Sequence, residues 1–190
     1  MSHTADVAHD HKSPAVEHGE LRDAVACLRP DEGRRSLWVL GELLTYKVPS
    51  HRTGGAYSLF KVATQPGAGP PHIHHREDES FYVLEGEYEF LTNHRTIKVG
   101  AGSLLYFPKG TLHAHKNFGV KVGRMLMSQT PGGLYERFFE RIGDEVRNPS
   151  APTAMESPPD KARLAAIAAE YGIEVTRRRG QGGPARVPEH

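Results

Sequence analysis

The chain has 190 residues, with 24 Lys and Arg against 23 Asp and Glu and a formal net charge of +1. That balance supplies no field to attract nucleic acid or an anionic membrane, and no stretch approaches the roughly 18 apolar residues of a membrane span. The one cysteine, Cys27, rules out an internal disulfide, and the run MSHTADVAHDHKSPAVEHGE has no apolar segment of signal-peptide type, so the expected compartment is the cytoplasm.

Residues 1–20 are polar and carry His3, His9, His11 and His18 without apolar periodicity, so a flexible arm is expected there. The character changes at Ser36. SLWVLGELLTYKV reads as a strand with a bulge or kink at Gly41. PSHRTGG is a turn, AYSLFKVAT a second strand, and QPGAGPP a turn-rich loop. ESFYVLEGEYEFL and RTIKV are strand-like runs joined through TNH, followed by LLYF, TLHAHKNFG and VKVGRMLMS. Short strands punctuated by Gly and Pro, with no helical pattern between them, predict an all-β antiparallel barrel or sandwich. Helical spacing comes only afterwards, in GLYERFFERIGDEV and in DKARLAAIAAEYGIEV, and these helices are expected on the outside of the barrel or across one mouth. The organisation read from this is an arm (1–20), a barrel with its following helix (21–150), a Pro-rich linker and C-terminal helix (151–176) and a disordered tail (177–190), in which Arg177–Arg179 is a solvated cluster.

The chemistry concentrates in PPHIHHREDESFYVLEG and GSLLYFPKGTLHAHKN. His72 and His74 are two residues apart, so on an extended chain both side chains project to one face. Glu79 begins the next apolar run, and His113 follows a Pro–Gly turn. Three imidazoles and a carboxylate suit one divalent transition metal (Fe, Ni, Mn, Co, Cu or Zn) and leave positions open for a further ligand. His75 is expected to face away from the site. His115 shares the face of His113, as a hydrogen-bonding neighbour of the site or a satisfied core residue, and Asn117 is expected to bond a turn. Arg76, Glu77 and Asp78 are expected to be exposed, with Glu77 a minor candidate for a gate or an alternative ligand. Phe81, Tyr82, Val83, Leu84, Phe90, Leu105, Phe107 and Met125 are expected mostly as core or cavity lining, favouring an aromatic ligand.

These two segments resemble the paired signatures of the cupin superfamily. His72, His74, Glu79 and Gly86 match the first signature, and Gly102, Pro108, Gly110, His113 and Asn117 match every position of the second. One departure is Pro66, which stands where the first signature opens with Gly, although Gly67 and Gly69 are adjacent. The resemblance covers about residues 36–130. It implies a single cupin barrel (a double-stranded β-helix, or jelly roll) with one or two short C-terminal helices, and a metal held by His72, His74, Glu79 and His113.

A looser similarity links the plan to small quercetin 2,3-dioxygenases, through the His-x-His-x4-Glu spacing and a PGG segment leading into ERFFERIG. It implies a dioxygenase acting on a flavonol-like or other enolisable aromatic substrate, with Glu79 as the general base. The rival readings are a non-oxidative isomerase, decarboxylase or cyclase using the metal as a Lewis acid, and a small-molecule-binding barrel without turnover. A homodimer is expected, with no nucleic-acid or membrane partner.

Overall fold

The structure, a computed structural model, describes residues 25–30, 32–33, 35–92, 95–146 and 160–176. The N-terminal arm, most of the Pro-rich linker and the C-terminal tail lie outside the described residues. In chain order the elements are β1 (Ser36–Val39), β2 (Glu42–Val48), a 3-10 turn (Ser50–Thr53), β3 (Ser58–Thr64), β4 (Gly67–Ala68), β5 (His72–His74), β6 (Asp78–Glu85), β7 (Glu87–Thr92), β8 (Thr96–Gly100), β9 (Leu104–Phe107), β10 (Leu112–Asn117), β11 (Gly123–Thr130), α1 (Leu134–Ile142), β12 (Asp144–Glu145), α2 (Lys161–Glu170) and β13 (Ile173–Val175).

Two antiparallel sheets carry the fold. A seven-stranded sheet runs in the order β12-β1-β2-β3-β11-β6-β9, and a six-stranded one in the order β13-β5-β10-β7-β8, with β4 paired to β10. Period-two alternation sorts the side chains. On β3, Ser58, Phe60, Val62 and Thr64 turn inward, and on β11 Met125, Met127 and Gln129 do the same. Phe60, Phe81, Tyr88, Phe90 and Met125 from the two sheets share one apolar cluster with Phe138 and Phe139 of α1 and Leu164 and Ala168 of α2. The rings pack edge to face, as in Tyr46–Phe60 at 4.8 Å and Phe60–Phe139 at 5.8 Å between centroids, the arrangement that aromatic quadrupoles favour. The architecture is the jelly-roll barrel that the motifs imply.

Four local expectations are corrected. The kink at Gly41 is a full reversal: β1 and β2 form a hairpin in which Val39 faces Glu42, and Leu40 and Gly41 both take positive φ, 50° and 89°. Two consecutive left-handed residues make the tight turn whose twist suits a hairpin. The run ESFYVLEGEYEFL is two strands in different sheets, parted at Gly86 with φ 96°. A Cβ there would lie 2.9 Å from the Cα of Gly123, so both conformation and space require glycine. α2 ends at Glu170, close to the expected end near Gly172, but the IEV that follows, read together with the helix, is a strand. Gly172 takes φ 77°, and Ile173–Val175 adds a strand to the edge of β5, placing Ile173 opposite His74 and Val175 opposite His72. Finally, Tyr82 and Leu84, expected with the core residues, sit on the outer face of β6, 42% and 43% exposed.

Candidate metal centre

Pro70 and Pro71 hold the approach to β5 extended, and their carbonyls accept hydrogen bonds at the site's edge. His72 Nδ1 donates to Pro70 O at 3.0 Å, and Thr176 N donates to Pro71 O at 2.9 Å. Alternation on β5 then turns His72 and His74 to one side, where their rings stand 5.0 Å apart. β10 pairs with β5 so that His113 lies opposite His72, at 4.5 Å between rings. The His113 Nδ1 atom donates to Thr111 O at 3.0 Å, repeating the bond that orients His72. His72 therefore carries its proton on Nδ1, and both rings turn Nε2 inward, as metal-ligating histidines do. Glu79 comes from β6, on the inward face that also holds Phe81.

The expected four side chains meet. One ligand atom from each of His72, His74, Glu79 and His113 lies within 4.8 Å of the others, and Glu79, His74 and His113 are buried. Ligands around a metal with bonds of about 2.1 Å stand on the order of 3–4 Å apart, so a small contraction closes the set. The orphaned atoms point the same way. His72 Nε2 and His74 Nε2 are buried without a hydrogen-bond partner, a cost of about 1–3 kcal/mol each that a cation would remove. The residues fit a divalent transition metal, and this cluster could hold one.

Electrostatics suit the same role. Burial, reinforced by the neighbouring His113 and His74, lowers the pKa of His72 to about 3, so its imidazole is neutral with a lone pair free to ligate. Burial opposes ionisation of Glu79, but the surrounding imidazoles and the hydrogen bond from His113 outweigh it and hold this carboxyl well below its ordinary range. For His74, burial disfavours the charged ring, yet the Glu79 and Glu77 carboxylates raise its pKa.

A supporting layer surrounds the cluster. Glu79 Oε2 accepts from His113 Nε2 at 2.7 Å, and Glu79 Oε1 accepts from the Gln129 amide at 2.9 Å. Glu77, expected on the surface, is 1% exposed: Oε1 accepts from the backbone N–H of Tyr135 at 3.2 Å, and Oε2 lies 3.8 Å from His74 Nδ1. An anion at the start of α1 interacts favourably with the helix dipole, which is why this carboxylate turns inward. Asp78, by contrast, accepts from Tyr106 Oη and the backbone N–H of Lys109 at the surface. His75 faces away, as expected, and pairs with Glu174 at 3.1 Å. Asn117 bonds Thr64 O, Lys121 O and the N–H of Gly119, the turn-holding role expected of it. His115 is buried but stands outside the cluster, its Nε2 2.6 Å from Glu42 Oε1.

Beside the cluster lies a cavity of about 50 Å³, lined by Val39, Leu40, Glu42, Gly69, Pro70, His72, His115, Tyr135, Phe138, Phe139, Leu164, Ile173 and Val175. Of the eight residues expected as core or cavity lining, Phe81, Val83, Phe90, Leu105, Phe107 and Met125 are buried in the core, and none of the eight lines this cavity. Its walls come from the β1–β2 turn, the approach to β5, β10, α1, α2 and β13. Gln129, Tyr135 and Glu42 were missed from the sequence. The available signal for Gln129 was a polar residue in register with Met125 and Met127 on an apolar alternating strand.

Residues 59–128 match the family described as Cupin domain. A germin-like protein of Arabidopsis thaliana (subfamily 2 member 2) is 39% identical over 97 residues, covering 45% of this chain and 43% of that protein. A quercetin 2,3-dioxygenase of Bacillus subtilis is 31% identical over 87 residues, covering 44% of this chain but 25% of the enzyme. The chain thus spans less than half of the length of either relative. A solved structure of a predicted oxalate decarboxylase from Thermotoga maritima shares the fold, with a TM-score of 0.52 at 18% identity over 56% of this chain and 99% of that one. The match runs from β3 into β11, the stretch that supplies all four clustered side chains, so residues 59–128 form a cupin domain.

Proposed function

We propose that the chain is a metal-dependent cupin oxygenase acting on an enolisable substrate, with His72, His74, Glu79 and His113 as metal ligands and Glu79 as general base. The observation that carries this is the pair of buried Nε2 atoms on His72 and His74, without hydrogen-bond partners and aimed into a cluster that adjoins a cavity. The relationship to a quercetin 2,3-dioxygenase over 87 residues supports oxygen chemistry over the Lewis-acid alternatives. When bound, the metal would supply positive charge that acidifies an oxygen ligand and, for a redox-active ion, a route by which electrons of the enolate substrate reach dioxygen. The protein's own part is to hold and move the proton. Gln129 holds Glu79 through Oε1 while Oε2 faces the histidines, 2.7 Å from His113 Nε2, and it is by swinging away from them that this carboxylate takes the proton of a substrate hydroxyl. Apolar side chains of α1, α2 and β13 exclude water from that proton transfer.

A flavonol, the substrate size suggested by the sequence resemblance, exceeds this cavity of about 50 Å³. Pockets for drug-sized ligands measure about 300–1,000 Å³, so such a molecule enters only if the α2–β13 wall is displaced. A homodimer and a cytoplasmic location complete this reading, and sedimentation of the 21.0 kDa chain as a monomer counts against the former.

The test begins with metal analysis of protein purified without added metal, followed by oxygen uptake with a panel of enols and flavonols. Iron, nickel, manganese or copper together with substrate-dependent uptake is expected. In Glu79→Gln, turnover should fall by at least ~100-fold, the scale of a lost general base, while part of the metal is retained. Zinc alone, with no uptake across the panel, removes the oxygenase reading in favour of Lewis-acid use.

A further inference from the structure

We infer that the cavity beside the cluster is a subsite for a compact ligand with two oxygen functions, one directed to the metal cluster and the other, a hydroxyl, anchored by the half-buried Glu42 that the buried His115 holds in place. This rests on the metal-site reading above and names the class of molecule that the site takes.

Glu42 opens β2 in the seven-stranded sheet, and His115 lies on β10 in the six-stranded one. They meet with His115 Nε2 donating to Glu42 Oε1 at 2.6 Å, an oxygen that also accepts from Thr64 Oγ1 at 3.0 Å. That leaves Glu42 Oε2 without a hydrogen bond among the described residues, while His115 turns Nε2 to Glu42 and its buried Nδ1 to the opposite side. Both side chains line the cavity together with His72, whose Nε2 is also unpartnered. The rest of the wall is mostly apolar, from residues such as Phe138, Leu164 and Ile173.

The cavity is thus an apolar chamber with one polar pair besides the metal cluster's own edge. The free oxygen of Glu42, held in place by His115, accepts from a hydroxyl, and a ligand lacking one leaves that oxygen unpaired in a mostly apolar chamber, the arrangement that discriminates most sharply between analogues. Size narrows the class further. A water needs about 10–15 Å³ of such space, so about 50 Å³ holds a molecule of only a few heavy atoms. An α-hydroxyketone has this pattern: a carbonyl oxygen for the cluster, a neighbouring hydroxyl for the pair and a short hydrocarbon body.

The test uses the full chain loaded with redox-inert Zn²⁺, titrated by calorimetry and ligand-observed NMR with hydroxyacetone, with propanone, which lacks the hydroxyl, and with quercetin. Hydroxyacetone is expected to bind at least tenfold more tightly than propanone, and quercetin not at all. Glu42→Leu should remove that tenfold preference, and Glu42→Gln, which keeps shape and one acceptor, should retain part of it. Should Glu42→Leu fail to fold, Leu164→Phe fills the chamber from its apolar side without touching the pair, and it should abolish hydroxyacetone binding. Equal binding of hydroxyacetone and propanone, no hydroxyacetone binding, an undiminished preference in Glu42→Leu, or unimpaired binding in Leu164→Phe overturns the subsite. Zinc stoichiometry separates the two readings. A chain that takes no zinc overturns the metal site and the subsite with it, whereas one zinc per chain with any of those four outcomes overturns the subsite alone.

Discussion

Gln129 is wholly buried on β11, and its amide donor goes to Glu79 Oε1 while its own Oε1 finds no partner. A side chain left half-satisfied in a core is costly unless the bond it makes matters, and here that bond holds a carboxylate in one orientation. Outer partners of metal ligands typically tune affinity 10–100-fold, so Gln129→Leu should weaken Zn²⁺ or Ni²⁺ binding by about that factor, measured by competition with a chromogenic chelator. Unchanged affinity would show that packing alone orients Glu79. Glu77 makes a related point from the other side. Its carboxylate faces His74 and the first turn of α1 together, so a residue that reads as surface charge in REDES ties the helix to the site. Only the position of α1 in space reveals that duty.

At the scale of elements, the passage from β6 to β7 is the critical joint. Glu79 stands on β6, while the histidines stand on strands of the other sheet, so the chain must cross between sheets within one residue. Gly86 makes that crossing with φ 96° against the backbone of Gly123, itself packed against the Tyr88 ring. A left-handed conformation costs a residue with Cβ about 1–2 kcal/mol and overpacking about 1–3 kcal/mol more, so Gly86→Ala should destabilise the fold by at least about 2 kcal/mol. For a domain of this size that lowers Tm by about 4–8 °C, read by thermal unfolding. No change would mean that the joint relaxes freely. The strand β13 is the second informative element. It pairs with β5 along the edge opposite β10, so the two histidines of β5 are held from both sides.

For the whole molecule, metal binding and folding are linked. The ligands come from β5, β6 and β10 and meet only when both sheets are closed, so the unfolded chain has no comparable site. A ligand at 100 times its Kd stabilises the state it binds by about 2.7 kcal/mol. Saturating divalent metal should therefore raise Tm by about 5–11 °C, and a chelator should reverse the shift. In the variant lacking His72 and His113 side chains the increment should vanish, and a persistent increment would place the metal elsewhere.

How much could be read in advance follows from the range of each interaction. Spacing alone determined the four candidate ligands, the antiparallel β class and both helices, because alternation, helical periodicity and Gly–Pro turns act between residues close in the chain. His72 and His74 share a face by strand geometry, and the paired signatures carry Glu79 and His113 to the same place. Tertiary structure alone decided that Glu77 turns inward, that Gln129 grips Glu79, that Ile173–Val175 joins β5, and that Glu42 meets His115 from 73 residues away. Each of these depends on which strand edges and helix ends come to rest side by side. A local pattern carries no record of that choice, since a polar residue on an alternating strand looks the same whether its partner across the barrel exists or not.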